Sequence, residues 1–137
     1  MHSTIKFSVL IITLGLVFSP LSAQELTAMP IKTDVNGTAY LSGGVGDQEL
    51  LQINQASKDY NLKLILAEKS GAYAANVPVS IFDHKGKQVL NVPSSGPILL
   101  TNLAPDKYRV RASYQGLEKQ QEVRVIAGSQ KTLTFAW

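Results

Sequence analysis

The sequence has 137 residues, with 13 basic side chains, 10 acidic side chains and no cysteine. Without cysteine the chain has no disulfide, no thiol nucleophile, no thiolate metal site and no attachment point for a cysteine-linked lipid. The net charge of +3 is mild. Nucleic-acid-binding domains usually present a strongly basic face, so we expect no nucleic-acid partner.

The first 23 residues have the pattern of an export signal. Lys6 provides a short basic start, residues 7–18 are an apolar run, and Pro20 and small residues follow as far as Ala23. This pattern predicts a signal peptide cleaved near Ala23. The alternative is a retained membrane anchor, but the run is short for a span of roughly 20 residues, and no later run is as apolar. Export without disulfides is typical of the bacterial envelope, so we expect a periplasmic or secreted protein with no membrane span after cleavage.

The remaining chain of about 114 residues suits one domain and is too short for two. Residues 24–39 show no sustained periodicity and are interrupted by Pro30, Asn36 and Gly37, which indicates a flexible N-terminal arm. Residues 40–137 form the predicted domain.

Glycines are dense in the stretch "YLSGGVGDQE", just before a predicted helix over residues 48–59. Backbone amides of such a loop can bind an anion. A phosphate loop would also need a following Lys-Ser/Thr pair, which is absent, and the charge of Asp47 and Glu49 would repel an anion. We interpret the stretch as a turn into the helix, with Asp47 as the N-cap. It is also the first place to look for a neutral or cationic ligand, with candidate residues Gly43, Gly44, Gly46 and Asp47.

The chain after Asn61 shows strand patterns to its end. Alternating apolar residues and turn signals predict seven short strands at residues 62–67, 77–83, 88–92, 97–103, 107–114, 117–125 and 130–137. This number and spacing is typical of an antiparallel β-sandwich of the prealbumin-like or Ig-like kind. A two-residue turn at Gln115-Gly116 would place Arg109 opposite Glu122 on the outside. The same register would place Tyr108 opposite Val123 on the inside.

Two stretches of this region resemble a known family. "GAYAANVPVSIFDHKGKQVL" and "GPILLTNLAPDKYRVRASYQGLEKQQEVRV" are similar to the carboxypeptidase regulatory-like, or transthyretin-like, sandwich domains. Matching positions are Val77, Val79, Ile81, Asp83 and Gly86, then Leu103, Pro105, Tyr108, Val110, Ala112 and Gly116. The family usually has glycine where this chain has Asp106.

Residues 40–137 also resemble a group of small exported proteobacterial proteins of unassigned function built on this domain. The resemblance implies a sandwich fold and a non-catalytic accessory or binding role, since the regulatory domain of the carboxypeptidases does not itself catalyse. We therefore expect a protein partner in the envelope and no cofactor.

Few residues suggest chemistry. His84 is the only histidine after the signal and has no cysteine to join it, so we expect an exposed turn residue and no metal site. A row of basic residues could bind an acidic polymer or lipid head groups, although a solvated sheet face with Glu118 and Glu122 interspersed is favoured. The row consists of Lys107, Arg109, Arg111 and Arg124.

Two further functions stay open. A glycan-binding protein could use a platform of Tyr40, Tyr60 and Tyr73. A hydrolase could use a pair of carboxylates, and this hypothesis gains if two of four residues meet in one concave pocket. Those four are Asp47, Glu49, Asp83 and Asp106.

Overall fold

The computed structural model describes residues 28–137 and, before them, Gly15 alone. Apart from Gly15, the predicted signal peptide lies outside the described residues, as do residues 24–27 of the predicted arm. Within residues 28–137, no helix has both the length and the apolar character needed to cross a membrane.

The described chain is mainly β, with nine strands and one α-helix. The strands are β1 Lys32–Thr33, β2 Ala39–Gly43, β3 Leu62–Ala67, β4 Val77–Phe82, β5 Gln88–Ser95, β6 Ile98–Thr101, β7 Asp106–Tyr114, β8 Leu117–Val125 and β9 Lys131–Ala136. The helix α1 spans Asp47–Ala56, and a short 3₁₀-helix at Ser57–Asp59 continues it. The helix predicted over residues 48–59 therefore exists, with its last turn wound more tightly.

The strands form two sheets, a five-stranded one in the order β1-β2-β6-β3-β9 and a four-stranded one in the order β5-β4-β7-β8. The predicted β-sandwich is confirmed at this level. The predicted number of seven strands is wrong, because the described chain also contains β1 and β2, which were not predicted. One pair, β3 with β9, is parallel, whereas the prediction was antiparallel throughout.

The main core lies between the two sheets and follows from the alternation of apolar residues. In β3 the side chains of Leu62, Leu64 and Leu66 are fully buried, and in β4 Val79 and Ile81 are fully buried. Successive strand residues point to opposite faces, so each strand contributes every second side chain to the core. Burying one such side chain stabilises the fold by roughly 1.5–3 kcal/mol.

Helix α1 covers the outer face of the five-stranded sheet. Its Ile53 is fully buried against Leu41 of β2 and against Ile98 and Leu100 of β6. This second cluster explains why β6 is buried on both faces. The side chains around its rim are Met29, Leu50, Ala56 and Tyr60.

The hairpin of β7 and β8 has the predicted register. Gln115 and Gly116 both have positive φ, 50° and 78°, as in a tight type I′ turn. Arg109 pairs with Glu122, and Tyr108 pairs with Val123, as predicted. Near the start of β7, the Tyr108 hydroxyl donates a hydrogen bond of 2.6 Å to the Ala104 carbonyl, the arrangement of a tyrosine corner in sandwich folds.

The turn between β1 and β2 ties the two sheets together on one side. Asp34 accepts hydrogen bonds from the backbone amides of Asn36, Thr38 and Asn91, the last in β5 of the other sheet. The Thr38 hydroxyl donates to the Val89 carbonyl, also in β5. Burial acts to raise the pKa of Asp34, but the hydrogen bonds outweigh it and hold the pKa below its usual value of 3.8. Part of the range predicted as a flexible arm is thus a hairpin bonded to the sandwich.

The opposite side of the sandwich is closed by side chains of β8. Gln121 donates a hydrogen bond of 2.7 Å to the Thr134 carbonyl, and Lys119 donates to the Ala136 carbonyl. Both acceptors lie in β9, the edge strand of the other sheet. Polar side chains that point inward at an edge satisfy backbone groups which would otherwise be open to pairing.

Candidate functional site

The glycine stretch encloses a carboxylate of the protein itself. Glu49, in the first turn of α1, places Oε1 at 2.8 Å from the Gly44 amide nitrogen and 3.3 Å from that of Val45. These two amides are the donors that an external anion would need. The turn therefore has the anion-holding geometry considered from the sequence, and Glu49 occupies it.

Each glycine of the stretch has its own structural cause. A Cβ on Gly43 would lie 2.5 Å from Glu49 Oε1 and 2.5 Å from Met29 Cε. Gly44 and Gly46 have φ values of 104° and 82°, a region that disfavours residues with a Cβ. Gly96, beside them, approaches so closely that a Cβ there would lie 2.9 Å from the Gly43 Cα. Backbone packing thus accounts for the density of glycine.

The predicted N-cap is wrong by one residue. Gly46 is the N-cap and Asp47 is the first residue of the helix, and no side chain caps the helix by a hydrogen bond. Glu49 folds back over the preceding turn instead and accepts hydrogen bonds from two backbone amides there. A shallow hollow of about 430 Å³ lies at the helix start, with Gly46, Asp47 and Glu49 in its lining. A ligand at Gly43, Gly44, Gly46 and Asp47 stays a prediction.

The basic row lies on the outer face of the four-stranded sheet, where acidic side chains alternate with it. Lys107 Nζ lies 3.0 Å from Glu122 Oε2, and Arg111 Nε lies 3.5 Å from Glu118 Oε1. Arg124 makes no ion pair with another described residue. The face is thus a mixed-charge surface rather than a basic one, because two of the four cations form ion pairs with acidic side chains.

Two arginines of the row pack on an aromatic ring. The guanidinium carbons of Arg109 and Arg111 lie 5.6 Å and 5.1 Å from the centre of the Phe82 ring. Such contacts are worth about 0.5–1 kcal/mol at exposed sites. The Arg109 Nε is buried without a hydrogen-bond partner among the described residues. Arg109 is therefore partly held in the sheet surface by packing.

His84 lies in an exposed turn, as predicted, and has a carboxylate partner. Its Nδ1 is 2.5 Å from Asp106 Oδ2. The hydrogen bond from His84, together with that from the Lys107 amide, lowers the pKa of Asp106. Within residues 28–137 there is no group of three or more potential ligands from His, Cys, Asp and Glu.

The four carboxylates of the hydrolase hypothesis fall into two separate places. Asp47 and Glu49 share the hollow at the start of α1, so the condition set for the hydrolase hypothesis is met there, although Glu49 Oε1 accepts hydrogen bonds from the Gly44 and Val45 amides. Asp83 and Asp106 lie on either side of His84, and the negative charge of both, after burial, raises the pKa of Tyr108. Asp83 Oδ1 accepts the backbone amides of residues 85 and 87, so this oxygen holds the turn together.

A further hollow, larger than that at the helix start, was not foreseen from the sequence. It has a volume of about 570 Å³ and lies between α1, the 3₁₀-helix and the first described residues. Its apolar lining residues are Ala28, Met29, Ile31, Leu41, Ala56 and Tyr60. Its polar lining residues are Gln52, Gln55, Asp59 and Asn102.

A smaller hollow of about 320 Å³ contains the aromatic pair Tyr114 and Trp137. Their ring centres are 5.5 Å apart with a 52° tilt. The Tyr114 hydroxyl donates to Glu68 Oε1 at 2.7 Å, and this hydrogen bond, followed by burial and the charge of Glu68, raises the pKa of Tyr114. The Trp137 indole N–H donates to the Leu117 carbonyl at 2.9 Å, which fixes the ring.

The three tyrosines considered for a glycan platform are not brought together. Tyr40 is buried in the core between the sheets, whereas Tyr60 packs against the cluster under α1. Tyr73 is 52% exposed and lies beside the end of β3. The aromatic pair that does line a hollow is Tyr114 and Trp137.

Comparison with known proteins gives no family assignment: no family model matches the chain, and the curated proteins contain no match to it.

Proposed function

We propose that this protein is a non-catalytic binding or structural accessory of the bacterial envelope, exported by its N-terminal signal and acting through protein–protein contacts. The observation that carries the proposal is the apolar hollow beside α1. Its lining combines apolar and polar residues, as protein-binding surfaces do. Carboxylates near other hollows are engaged in holding turns: Glu49 in the glycine stretch and Asp83 in the turn after β4.

The hollow suits an apolar side chain from a partner's peptide segment. Ile31 is 65% exposed at its edge, so part of the apolar surface is open to contact. Gln55 and Asp59 in the lining offer amide and carboxylate groups for the partner's backbone. Burial, and then the charge of Asp59, raises the pKa of Tyr60, so its phenol stays neutral at physiological pH.

Site-specific photo-cross-linking tests this surface. A photoreactive residue in place of Gln55 is expected to capture one specific partner in the envelope of the producing bacterium. The capture should be lost when Ile31→Asp is added, since a charge would enter the apolar edge. The matched control is the same photoreactive residue at Ser94, an exposed position on β5. Equal capture from both positions, or capture unchanged by Ile31→Asp, would count against the proposal.

We also propose that the domain belongs to the prealbumin-like, carboxypeptidase regulatory-like sandwiches. Support comes from the residues that carry the resemblance. Val77, Val79 and Ile81 are buried in β4, Asp83 holds the following turn, and Tyr108 makes the corner hydrogen bond.

Glycan binding is the second candidate, because the Tyr114–Trp137 hollow combines aromatic rings with a carboxylate. Aromatic faces suit the C–H surface of a sugar, and Glu68 can accept a sugar hydroxyl. Trp137 is the single tryptophan of the chain, so its fluorescence reports on this hollow. Titration with soluble cell-wall fragments should give a saturable change that Glu68→Gln weakens. A flat titration, or one that Glu68→Gln leaves unaltered, argues against this candidate.

A further inference from the structure

The edge of β8 differs from the other sheet edges in the described chain. β1 has two residues. On β5, the Val89 carbonyl and the Asn91 amide are bonded by Thr38 and Asp34. On β9, two carbonyls accept from side chains of β8. β8 has nine residues and is the outermost strand of its sheet, and among the described residues only the carbonyl of its first residue, Leu117, accepts a side-chain hydrogen bond, from Trp137.

The hairpin geometry determines which backbone groups of β8 are open. The two-residue turn closes on Tyr114 and Leu117, which are therefore a hydrogen-bonded pair. Hydrogen-bonded and non-hydrogen-bonded pairs alternate along an antiparallel ladder. The even-numbered residues of β8 consequently direct their N–H and C=O groups away from β7. These residues are Glu118, Gln120, Glu122 and Arg124, and all four are exposed.

We propose that two copies of this chain pair along β8, antiparallel, with Gln121 of one copy opposite Gln121 of the other. The four-stranded sheets of the two copies then continue into one another across a two-fold axis. Two kinds of hydrogen-bonded pair form, Glu118 opposite Arg124 and Gln120 opposite Glu122. This surface is separate from the apolar hollow beside α1, and the proposal does not depend on a partner binding there.

The charges along β8 are complementary in this register. Glu118 of each copy faces Arg124 of the other, on the same outer face of the joined sheet, so the two-fold axis generates two ion pairs. Arg124 has no ion-pair partner among residues 28–137, and it is therefore available. Opposite charges directly across an antiparallel pair stabilise it by about 0.2–1 kcal/mol each. At the ends of the strand, Leu117, which is 64% exposed, comes to lie opposite Val125 of the other copy.

Neighbouring registers are disfavoured by the same charges. Hydrogen bonding between the two copies requires their outward-pointing, even-numbered residues to lie opposite one another. The only other allowed registers are therefore those in which even-numbered residues still face even-numbered residues. One step in one direction places Glu118 opposite Glu122. One step in the other places Glu122 opposite Glu122 of the second copy. Like charges directly opposite are destabilising, so the register centred on Gln121 is selected.

Mass measurement by sedimentation on the mature chain tests the pairing. An edge contact of this kind is small, so we expect a concentration-dependent dimer, populated at about 100 µM or below. Arg124→Glu and Glu118→Arg each replace two attractive contacts by two repulsive ones and should weaken dimerisation about tenfold or more. Lys58→Glu, at an exposed position on the 3₁₀-helix, is the matched control and should leave the dimer unchanged.

Mixing the two charge variants gives a sharper result. A chain with Glu118→Arg faces a chain with Arg124→Glu through two attractive pairs, so the mixture should dimerise at lower concentration than either variant alone. Because Glu118 also contacts Arg111 within its own chain, urea unfolding of each variant checks that the fold is retained. A mixture that stays monomeric while both chains are folded would overturn the proposal.

The absence of cysteine allows a direct test of the register. Gln121→Cys places one thiol per chain at the two-fold axis, in a non-hydrogen-bonded pair whose Cα atoms are about 4.5 Å apart, within disulfide range. Mild oxidation should therefore link two chains, whereas Lys119→Cys should link them far more slowly. A monomeric wild type at about 100 µM overturns the proposal, and so does a monomer whose outward-pointing amides, those of residues 118, 120, 122 and 124, are protected from hydrogen exchange. The latter result would show that another segment covers the edge.

Discussion

Replacing Asp34 by asparagine should destabilise the fold more than substitutions in a surface turn usually do. The carboxylate accepts four hydrogen bonds, and the two that matter most come from the partly buried amides of Thr38 and Asn91. The other two come from Asn36, are exposed, and can be replaced by water. Hydrogen bonds to a charged group contribute about 1.5–3 kcal/mol each.

Asparagine has one acceptor oxygen where aspartate has two, so Asp34→Asn cannot satisfy both amides. The side-chain NH₂ group of the asparagine must then face one of the two backbone N–H donors, and the negative charge of the carboxylate is lost as well. We expect the free energy of unfolding at pH 7 to fall by about 2–3 kcal/mol. The matched control Asn36→Ala removes only the exposed local bond and should cost less than about 0.5 kcal/mol.

The difference between wild type and Asp34→Asn should depend on pH in one direction. The pKa of Asp34 is lowered in the folded state, so its contribution is complete above the unfolded value near 3.8. The contribution is lost as the pH falls through the lower, folded pKa. The two proteins should therefore differ at pH 7 and converge in strongly acidic solution.

Urea unfolding followed by circular dichroism, at pH 7 and at stepwise lower pH, measures both effects. The reasoning is refuted if Asp34→Asn is as stable as wild type at pH 7. It is equally refuted if the difference between the two proteins is independent of pH through the acid range.

Three further predictions follow from the packing, and urea unfolding at pH 7 checks each of them. Gly96→Ala should lower the free energy of unfolding more than Gly43→Ala does, because the new Cβ meets rigid backbone at Gly96 but the flexible end of Glu49 at Gly43. Equal effects would contradict the conclusion that backbone packing requires these glycines. Tyr108→Phe should lower the free energy of unfolding by about 1 kcal/mol, because the hydrogen bond to the Ala104 carbonyl is lost. An unchanged urea midpoint would show that this hydrogen bond does not stabilise the fold. Phe135→Ala should cost about 3–5 kcal/mol, since the ring is fully buried, and a loss below 1 kcal/mol would mean that the core collapses around it.

The sequence predicted those strands whose apolar residues alternate on one face. β3 and β8 have the expected bounds, because their inward side chains are set by a period of two and their ends by turns. β2 was not predicted, because Ser42 and Gly43 are residues typical of loops. Gly43 belongs to a strand only because Glu49 and Met29 fill the space that a side chain would occupy, and that packing is tertiary.

The sites were less predictable than the strands, because they depend on contacts between distant parts of the chain. Asp34 meets Asn91 across the gap between the two sheets, and Glu68 meets Tyr114 from another strand end. Neither pair has a local signal in the sequence. The register of β7 with β8 was predictable because both strands adjoin one short turn, which leaves little freedom in their pairing.

The parallel pairing of β3 with β9 has a consequence for the order in which the chain folds. The four-stranded sheet joins segments that are close in sequence, from residue 77 to residue 125. The five-stranded sheet instead pairs Leu62 with Lys131, and Leu41 with Leu100, so long loops must close before it forms. Because non-local pairings slow folding, the four-stranded sheet should form first and serve as a template for the other. Completion of the five-stranded sheet then waits for the last strand of the chain.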